Sequence, residues 1–166
     1  FAFVDNMPKF DTSEPDVMEY LTGIAKHWVC EWKVDGISFD VGNEISHAFL
    51  KHLRLELKKC NPKLFLLGEI WHDAFPWLLG DEYDSTMNYP FLACVNNFWA
   101  DKTQSGTDFM HGINQCYSMY YEQVNRVLFN LLDSHDTDRL MERCHGNADM
   151  FLAQLTVLFT MQGAPG

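Results

Sequence analysis

The stretch Leu64-Phe-Leu-Leu-Gly-Glu-Ile70 decides the fold class. It is a nearly continuous apolar run, which is typical of a strand in a parallel sheet that is buried on both faces. A second apolar stretch, Ile37–Val41, follows the Asp35-Gly36 turn, and a third covers Val127–Leu132. Because helical patterns separate these stretches, the sequence predicts βαβ units and therefore an α/β fold.

Amphipathic patterns predict a helix on each side of the strand at Ile37–Val41. The first covers residues 13–32, with Ser13 as its N-cap and Pro15 in its first turn. The second covers Glu44–Lys59, and Asn61-Pro62 ends it. The remaining predictions are a loop over 1–12, a brief strand over 85–88, helices over 90–100 and 108–123, and a helix end followed by a strand over 149–159.

Composition limits the classes of protein. The 166 residues carry a net charge of −11 and are 47% apolar and 21% charged, which predicts one globular domain or part of one. The acidic excess argues against nucleic acid or an anionic membrane as partner, because both attract Lys and Arg. The five cysteines are odd in number and form no CxxC pair. We therefore expect reduced, buried thiols and a cytoplasmic location.

Acidic residues stand at the ends of three predicted strands. Asp40 and Glu69 end the first two, and His135 and Asp136 follow the third. In a (β/α) barrel the C-terminal strand ends converge on one pocket, so these groups can meet. Two carboxylates about 5 to 5.5 Å apart are what a retaining glycosidase needs. A strand-end acid can equally be a helix N-cap or a solvated loop residue, so spacing alone leaves both interpretations open.

The sequences of several motifs, distributed over the whole chain, resemble those of the alpha-amylase family of glycoside hydrolases. Three stretches are similar to ordered motifs of that family: Asp35-Gly-Ile-Ser-Phe-Asp-Val-Gly-Asn-Glu44, Leu67-Gly-Glu-Ile-Trp-His72 and Leu132-Asp-Ser-His-Asp-Thr-Asp-Arg139. Three more resemble its neopullulanase, cyclomaltodextrinase and maltogenic amylase branch: Met7-Pro-Lys-Phe10, Gly68-Glu-Ile-Trp-His-Asp-Ala-Phe-Pro-Trp77 and Met87-Asn-Tyr-Pro-Phe91.

The resemblance implies a catalytic role for three carboxyl groups. Asp40 matches the nucleophile that forms the covalent glycosyl intermediate, and Glu69 matches the general acid/base. Asp136 matches the carboxylate that holds sugar hydroxyls and stabilises the transition state, and His135 matches the histidine that binds sugar hydroxyls beside it. The implied activity is retaining cleavage of alpha-1,4 or alpha-1,6 glucosidic bonds in maltooligosaccharides, cyclodextrins or related alpha-glucans.

Four further residues are implied in substrate binding. Asn43 and Glu44 match the dipeptide on the acceptor side, which this branch ties to transglycosylation. Trp71 is expected to stack on an acceptor sugar, and Arg139 to support the last motif. Calcium occurs in many members of the family, but the sequence offers no ligand cluster, so we expect no metal and no cofactor.

The resemblance also implies a fold, namely part of a (β/α)8 TIM barrel with about its strands four to eight. Residues 1–166 then form a partial catalytic domain, without the family's first motif, an Asp…Asn-His segment at the third strand. We expect the chain to be part of a longer protein. A part-barrel leaves strand edges unpaired, which favours self-association.

One position departs from the family pattern. The nucleophile normally follows Gly-x-Arg-x-Asp, but Ser38 takes the place of the arginine. A nearby cation favours the ionised carboxylate, and a hydroxyl cannot replace its charge. The alternative is therefore a catalytically impaired fragment or homologue that only binds alpha-glucan. A phosphate-binding barrel is a weaker alternative, because the chain has no glycine-rich phosphate loop.

Overall fold

The computed structural model describes residues 6–166. The chain divides into two compact units, the first reaching Glu69 and including Pro76–Ser85, and the second formed by Ile70–Phe75 and Thr86–Gly166. Residues 6–12 form turns and loop, as predicted, and the first five residues of the predicted N-terminal loop lie outside the described residues. Among residues 6–166, no helix is long and apolar enough to cross a membrane.

Helices and parallel strands alternate in the first unit. Its elements are α1 (Pro15–Cys30), β1 (Gly36–Phe39), a 3₁₀ helix (Gly42–Glu44), α2 (His47–Cys60), β2 (Phe65–Gly68) and β3 (Ser85–Thr86). The unit ends at Ser85, the first residue of β3. β1 pairs with β2 in parallel, and β2 lies between β1 and β3 in a three-stranded sheet. The α/β class predicted from the apolar runs is therefore confirmed.

The predicted N-cap of the first helix is wrong by one residue. The N-cap of α1 is Glu14 rather than Ser13, and the Ser13 hydroxyl instead donates to Asp11 Oδ1 at 2.5 Å. Pro15 explains the start, because its ring presets a helical φ and the first helical position needs no N–H donor. The helix ends at Cys30, short of the predicted Trp32.

One face of α2 is apolar and buried. Its buried residues recur at helical spacing: Phe49, Leu50, Leu53 and Leu57. Asp84 ties the helix to the sheet, because its carboxylate accepts the Leu66 N–H at 2.9 Å and pairs with Arg54 at 2.8 Å and Lys58 at 3.0 Å. Burial alone would raise the pKa of Asp84, but these donors outweigh burial and lower the pKa. Asp84 thus links α2 to β2 at Leu66.

The second unit is mostly helical, with a short parallel sheet. Its elements are α3 (Tyr89–Trp99), α4 (Gly106–Ser118), α5 (Glu122–Asn125), β4 (Phe129–Asn130), α6 (Leu140–Arg143), α7 (Ala148–Thr160) and β5 (Ala164–Pro165). β4 pairs with β5 in parallel, and Met87 forms a parallel bridge with Phe129. Its core cluster comprises Phe91, Val95, Ile113, Leu132, Leu140, Cys144 and Leu158.

Two predictions in this unit are corrected. Residues 149–159 do not change from helix to strand, because α7 runs without a break to Thr160. The Asn147 side chain caps it by accepting the Met150 N–H at 3.0 Å, and its buried residues Gln154 and Leu158 are four apart, which is helical spacing. The helix predicted over 108–123 ends at Ser118, and α5 is a separate turn.

Candidate active site

Asp40 and Glu69 lie side by side at one edge of the sheet. The register of β1 and β2 pairs Phe39 with Gly68, and each carboxylate is the next residue of its strand. Neighbouring strands are about 4.8 Å apart, so carboxyl groups borne on adjacent strand ends can approach the 5 to 5.5 Å that a retaining mechanism requires. Asp40 is exposed, whereas Glu69 is 5% exposed. The pair therefore combines one accessible and one enclosed carboxyl group.

The turn that follows Asp40 holds Glu69 on both sides. The Val41 N–H donates to Glu69 Oε2 at 2.9 Å, and the Gly42 N–H donates to the Glu69 carbonyl oxygen at 2.8 Å. The Glu69 N–H in turn donates to the Phe39 carbonyl oxygen at 2.9 Å. The backbone beside one carboxylate thus orients the side chain of the other.

Val41 has an unusual backbone conformation for a β-branched residue. Its φ of 47° and ψ of 49° are in the left-handed region, which such residues rarely occupy. This conformation ends β1 before the predicted Val41 and turns two successive N–H groups toward Glu69. Strained residues of this kind concentrate at functional sites, where the surrounding contacts impose them.

The predicted acceptor-side residues follow directly after this turn. Asn43 and Glu44 lie in the 3₁₀ helix and are half-buried. Lys9, from the Met7–Phe10 motif, donates to the Glu44 carbonyl oxygen and pairs with the Glu44 carboxylate at 3.9 Å. The N-terminal motif therefore supports the 3₁₀ helix, a contact between residues 35 positions apart.

Asp136 and His135 belong to the second unit, in the loop after β4. His135 Nε2 lies 3.3 Å from Asp136 Oδ2, and both side chains are well exposed. Ser134 shapes this loop, because its Oγ accepts the Asp136 N–H at 3.2 Å and its own N–H donates to Thr137 Oγ1 at 2.8 Å. The predicted histidine and carboxylate are therefore paired with each other at the surface of this unit.

Trp71 forms an aromatic platform in the same unit. Its ring stacks on Tyr89 with centroids 3.8 Å apart and an angle of 9° between the planes. Tyr89 is buried and its hydroxyl lies 3.4 Å from Ser134 Oγ, whereas Trp71 is 49% exposed. An exposed flat ring of this kind suits stacking on a sugar.

Arg139 pairs with an acid of its own motif. Its guanidinium donates to Asp133 Oδ1 at 3.1 Å, and Asp133 Oδ2 accepts the Leu140 N–H at 2.7 Å. The expectation that Arg139 supports this motif agrees with these contacts, and its role in binding substrate stays a prediction.

Sequence reasoning missed Tyr83, Tyr89 and Ser134 as site residues. Tyr89 and Ser134 stand inside motifs that the resemblance had already singled out, so their positions were visible in the sequence. Tyr83 lies in an acidic stretch, Asp81–Asp84, just before the strand predicted over 85–88, and none of the family motifs includes it. Within the part of the chain that the structure describes, no group of three or more His, Cys, Asp or Glu side chains is placed to hold a metal ion.

The fold and the site together define a class of protein: parallel α/β proteins that present carboxyl groups at the C-terminal ends of their strands. Comparison with known families identifies the member of that class. Residues 1–166 match the alpha amylase catalytic domain, and the chain belongs to the alpha-amylase family.

The similar proteins include members of one branch of this family. The intracellular maltogenic amylase of Bacillus subtilis (strain 168) is 43% identical over 165 residues, which are 99% of this chain and 28% of that protein. A cyclomaltodextrinase of Geobacillus thermopakistaniensis (strain MAS1) is 44% identical over 160 residues, 94% of this chain and 27% of that protein. A solved cyclomaltodextrinase structure superposes with a TM-score of 0.96 at 40% identity, covering 99% of this chain and 28% of the other. The chain thus spans little more than a quarter of the length of these relatives.

Proposed function

We propose that the complete protein, meaning the polypeptide that carries residues 1–166, is a retaining glycoside hydrolase. It cleaves alpha-1,4 or alpha-1,6 glucosidic bonds in maltooligosaccharides, cyclodextrins or related alpha-glucans. The observation that carries this proposal is the pairing of Asp40 and Glu69 at adjacent strand ends, with Glu69 Oε2 bound by the turn that follows Asp40.

The two environments support a division of labour between the carboxyl groups. The exposed Asp40 attacks the anomeric carbon, and the bond to the leaving oxygen breaks as Glu69 donates a proton to that oxygen. Glu69 then accepts a proton from water, which attacks the same carbon and releases Asp40. Asp136 is proposed to bind sugar hydroxyls at the reacting ring with His135, and Trp71, Asn43, Glu44 and Arg139 to bind the rest of the substrate.

The proposal extends to the fold and the setting. β1 to β5 correspond to strands four to eight of a (β/α)8 barrel, and residues 1–166 to part of one catalytic domain. The parallel pairing of β1 with β2 and of β4 with β5 supports this correspondence. The name of the Bacillus subtilis relative supports a cytoplasmic location. Self-association of the chain stays a prediction, which sedimentation of the purified chain would test.

The test is an assay of the complete protein on a cyclodextrin and on maltooligosaccharides. Product release followed by proton NMR should show the alpha anomer first, because two displacements at the same carbon restore its configuration. Initial release of the beta anomer would contradict the retaining mechanism. Absence of any turnover on these glucans and on an alpha-1,6-linked glucan would contradict the proposed activity.

Ser38 favours a second candidate function, binding of alpha-glucan without cleavage. Ser38 lies in β1 and precedes Asp40, the first residue after this strand, by two positions, a spacing that favours the same side of the chain. No cation from this position can then favour the ionised Asp40. Calorimetric titration with a maltooligosaccharide separates the candidates, because saturable binding without turnover would support the second one.

Replacing Ser38 with arginine is expected to raise the kcat of the complete protein about tenfold on the acid side of its pH–rate profile, where Asp40 is partly protonated. A cation near a carboxylate lowers its pKa by about 1 to 3 units, and each unit corresponds to a tenfold change in the ionisation equilibrium. The acid limb of the pH–rate profile should therefore move to lower pH. Ser38→Gln is the matched control, because it adds a polar chain without charge. Equal rates for the two variants would show that the charge at this position is unimportant.

A further inference from the structure

Tyr83 is a buried side chain that the proposed mechanism does not use. It is 2% exposed, and its ring lies against Gly68, the last residue of β2. A Cβ atom at Gly68 would stand 2.5 Å from Tyr83 Cδ2, so only glycine permits this approach. The ring also lies 5.5 Å from that of Phe39, the last residue of β1. Tyr83 therefore packs against both strand ends that carry the proposed catalytic pair.

The hydroxyl of Tyr83 reaches the turn that orients Glu69. It donates to the Gly42 carbonyl oxygen at 3.0 Å, while the Gly42 N–H donates to the Glu69 carbonyl oxygen at 2.8 Å. Burial, with the charge of neighbouring Glu82, raises the pKa of Tyr83 far above its usual range, so the hydroxyl keeps the proton that it donates. One buried hydrogen bond thus links Tyr83 to Gly42, the residue that follows Val41.

That link bears on the strained residue. The left-handed conformation of Val41 is unfavourable for a β-branched residue and persists only where surrounding contacts impose it. The Tyr83 hydroxyl and the two bonds to Glu69 are such contacts. If the hydroxyl is lost, the turn can relax, and the Val41 N–H then no longer points steadily at Glu69 Oε2.

We propose that Tyr83 is a positioning residue, which acts through Gly42 and Val41 to keep the Glu69 carboxyl group aligned with Asp40. The inference rests on the proposed function, since it assigns Tyr83 to the acid/base step of that reaction. An N–H donor at Oε2 favours the ionised carboxylate. A weakened donor should therefore let Glu69 stay protonated, and able to act as the acid, to higher pH.

The test is Tyr83→Phe in the complete protein, which keeps the ring and removes only the hydroxyl. We expect kcat to fall about tenfold, less than the roughly hundredfold that a displacement of about 1 Å can cause. KM should change less than twofold, and the alkaline limb of the pH–rate profile should move up by about 0.5 pH unit. A purely structural role would lower the folded fraction and leave that limb in place.

Tyr117→Phe is the matched control, because the Tyr117 hydroxyl also donates to a backbone carbonyl, that of Gln162 at 2.6 Å. It should leave the pH–rate profile unchanged. If Tyr83→Phe does not fold, Gly42→Ala probes the same turn, since its Cβ would stand 3.0 Å from the Tyr83 hydroxyl and 3.2 Å from the Glu69 backbone. An unmoved alkaline limb in the folded variant would overturn the proposal. Full activity of Glu69→Gln would instead overturn the proposed function itself.

Discussion

Replacement of Asp40 with asparagine is expected to lower the kcat of the complete protein by about 10⁴-fold or more, because the amide cannot form the glycosyl intermediate. The loss should be equally large with a maltooligosaccharide and with a maltosyl fluoride, since both substrates require the same attack on the anomeric carbon. Initial rates with each substrate measure it, and circular dichroism reports whether the variant is folded.

Asp35→Asn is the matched control for this variant. Asp35 is an exposed carboxylate that precedes β1 at the opposite end of the strand from Asp40. The Asp35→Asn variant loses the same charge as Asp40→Asn, but outside the proposed site. Its kcat should therefore stay within about twofold of that of the unaltered protein, as for most surface substitutions. Comparable activity of the two variants would contradict the assignment of Asp40 as nucleophile.

Replacement of Glu69 with glutamine is expected to lower kcat on maltooligosaccharides by about 10³-fold, within the range for loss of a general acid. The amide oxygen can still accept the Val41 N–H, so the geometry should survive while the transferable proton is lost. A maltosyl fluoride should be cleaved with a much smaller loss in the first step, because fluoride departs without protonation. This difference between substrates is the signature that separates Glu69 from Asp40.

The control for Glu69 is Glu19→Gln, which neutralises an exposed carboxylate on α1. It should behave like the unaltered protein with both substrates. If Glu69→Gln lost the fluoride and the maltooligosaccharide activities to the same extent, Glu69 would be acting as something other than a proton donor. An added small nucleophile such as azide should then fail to restore turnover.

The fold class was predictable from local pattern. Runs such as Leu64–Ile70 report burial on both faces of a strand, and the face of α2 with Phe49, Leu53 and Leu57 reports helical burial. The strand-end positions of Asp40 and Glu69 could be read in the same way. The end of the first strand could not be predicted in this way. Val41 is β-branched and so favours a strand, but a hydrogen bond to Glu69, far along the chain, accompanies its left-handed conformation.

The difference between local sequence pattern and long-range contacts also explains the wrong prediction for residues 149–159. A continuous apolar run suits a buried strand and a buried helix equally, and periodicity alone does not separate them. The Asn147 cap and packing within the core cluster of the second unit decide in favour of a helix. One side-chain hydrogen bond and the tertiary contacts therefore make residues 149–159 helical where the apolar run alone left helix and strand open.

The alternation of helix and strand, the acidic residues at the strand ends and the family motifs can be predicted from the sequence, because each depends on neighbouring residues. Three features become visible only in the folded chain: the register that sets Asp40 beside Glu69, the turn at Val41 and the contact of Tyr83 with Gly42. These features depend on bonds between residues 28 and 41 positions apart. A local sequence pattern does not identify such partners. They are selected by the close packing of Gly68, the Tyr83 ring and the turn at Val41, which meet only in the folded chain.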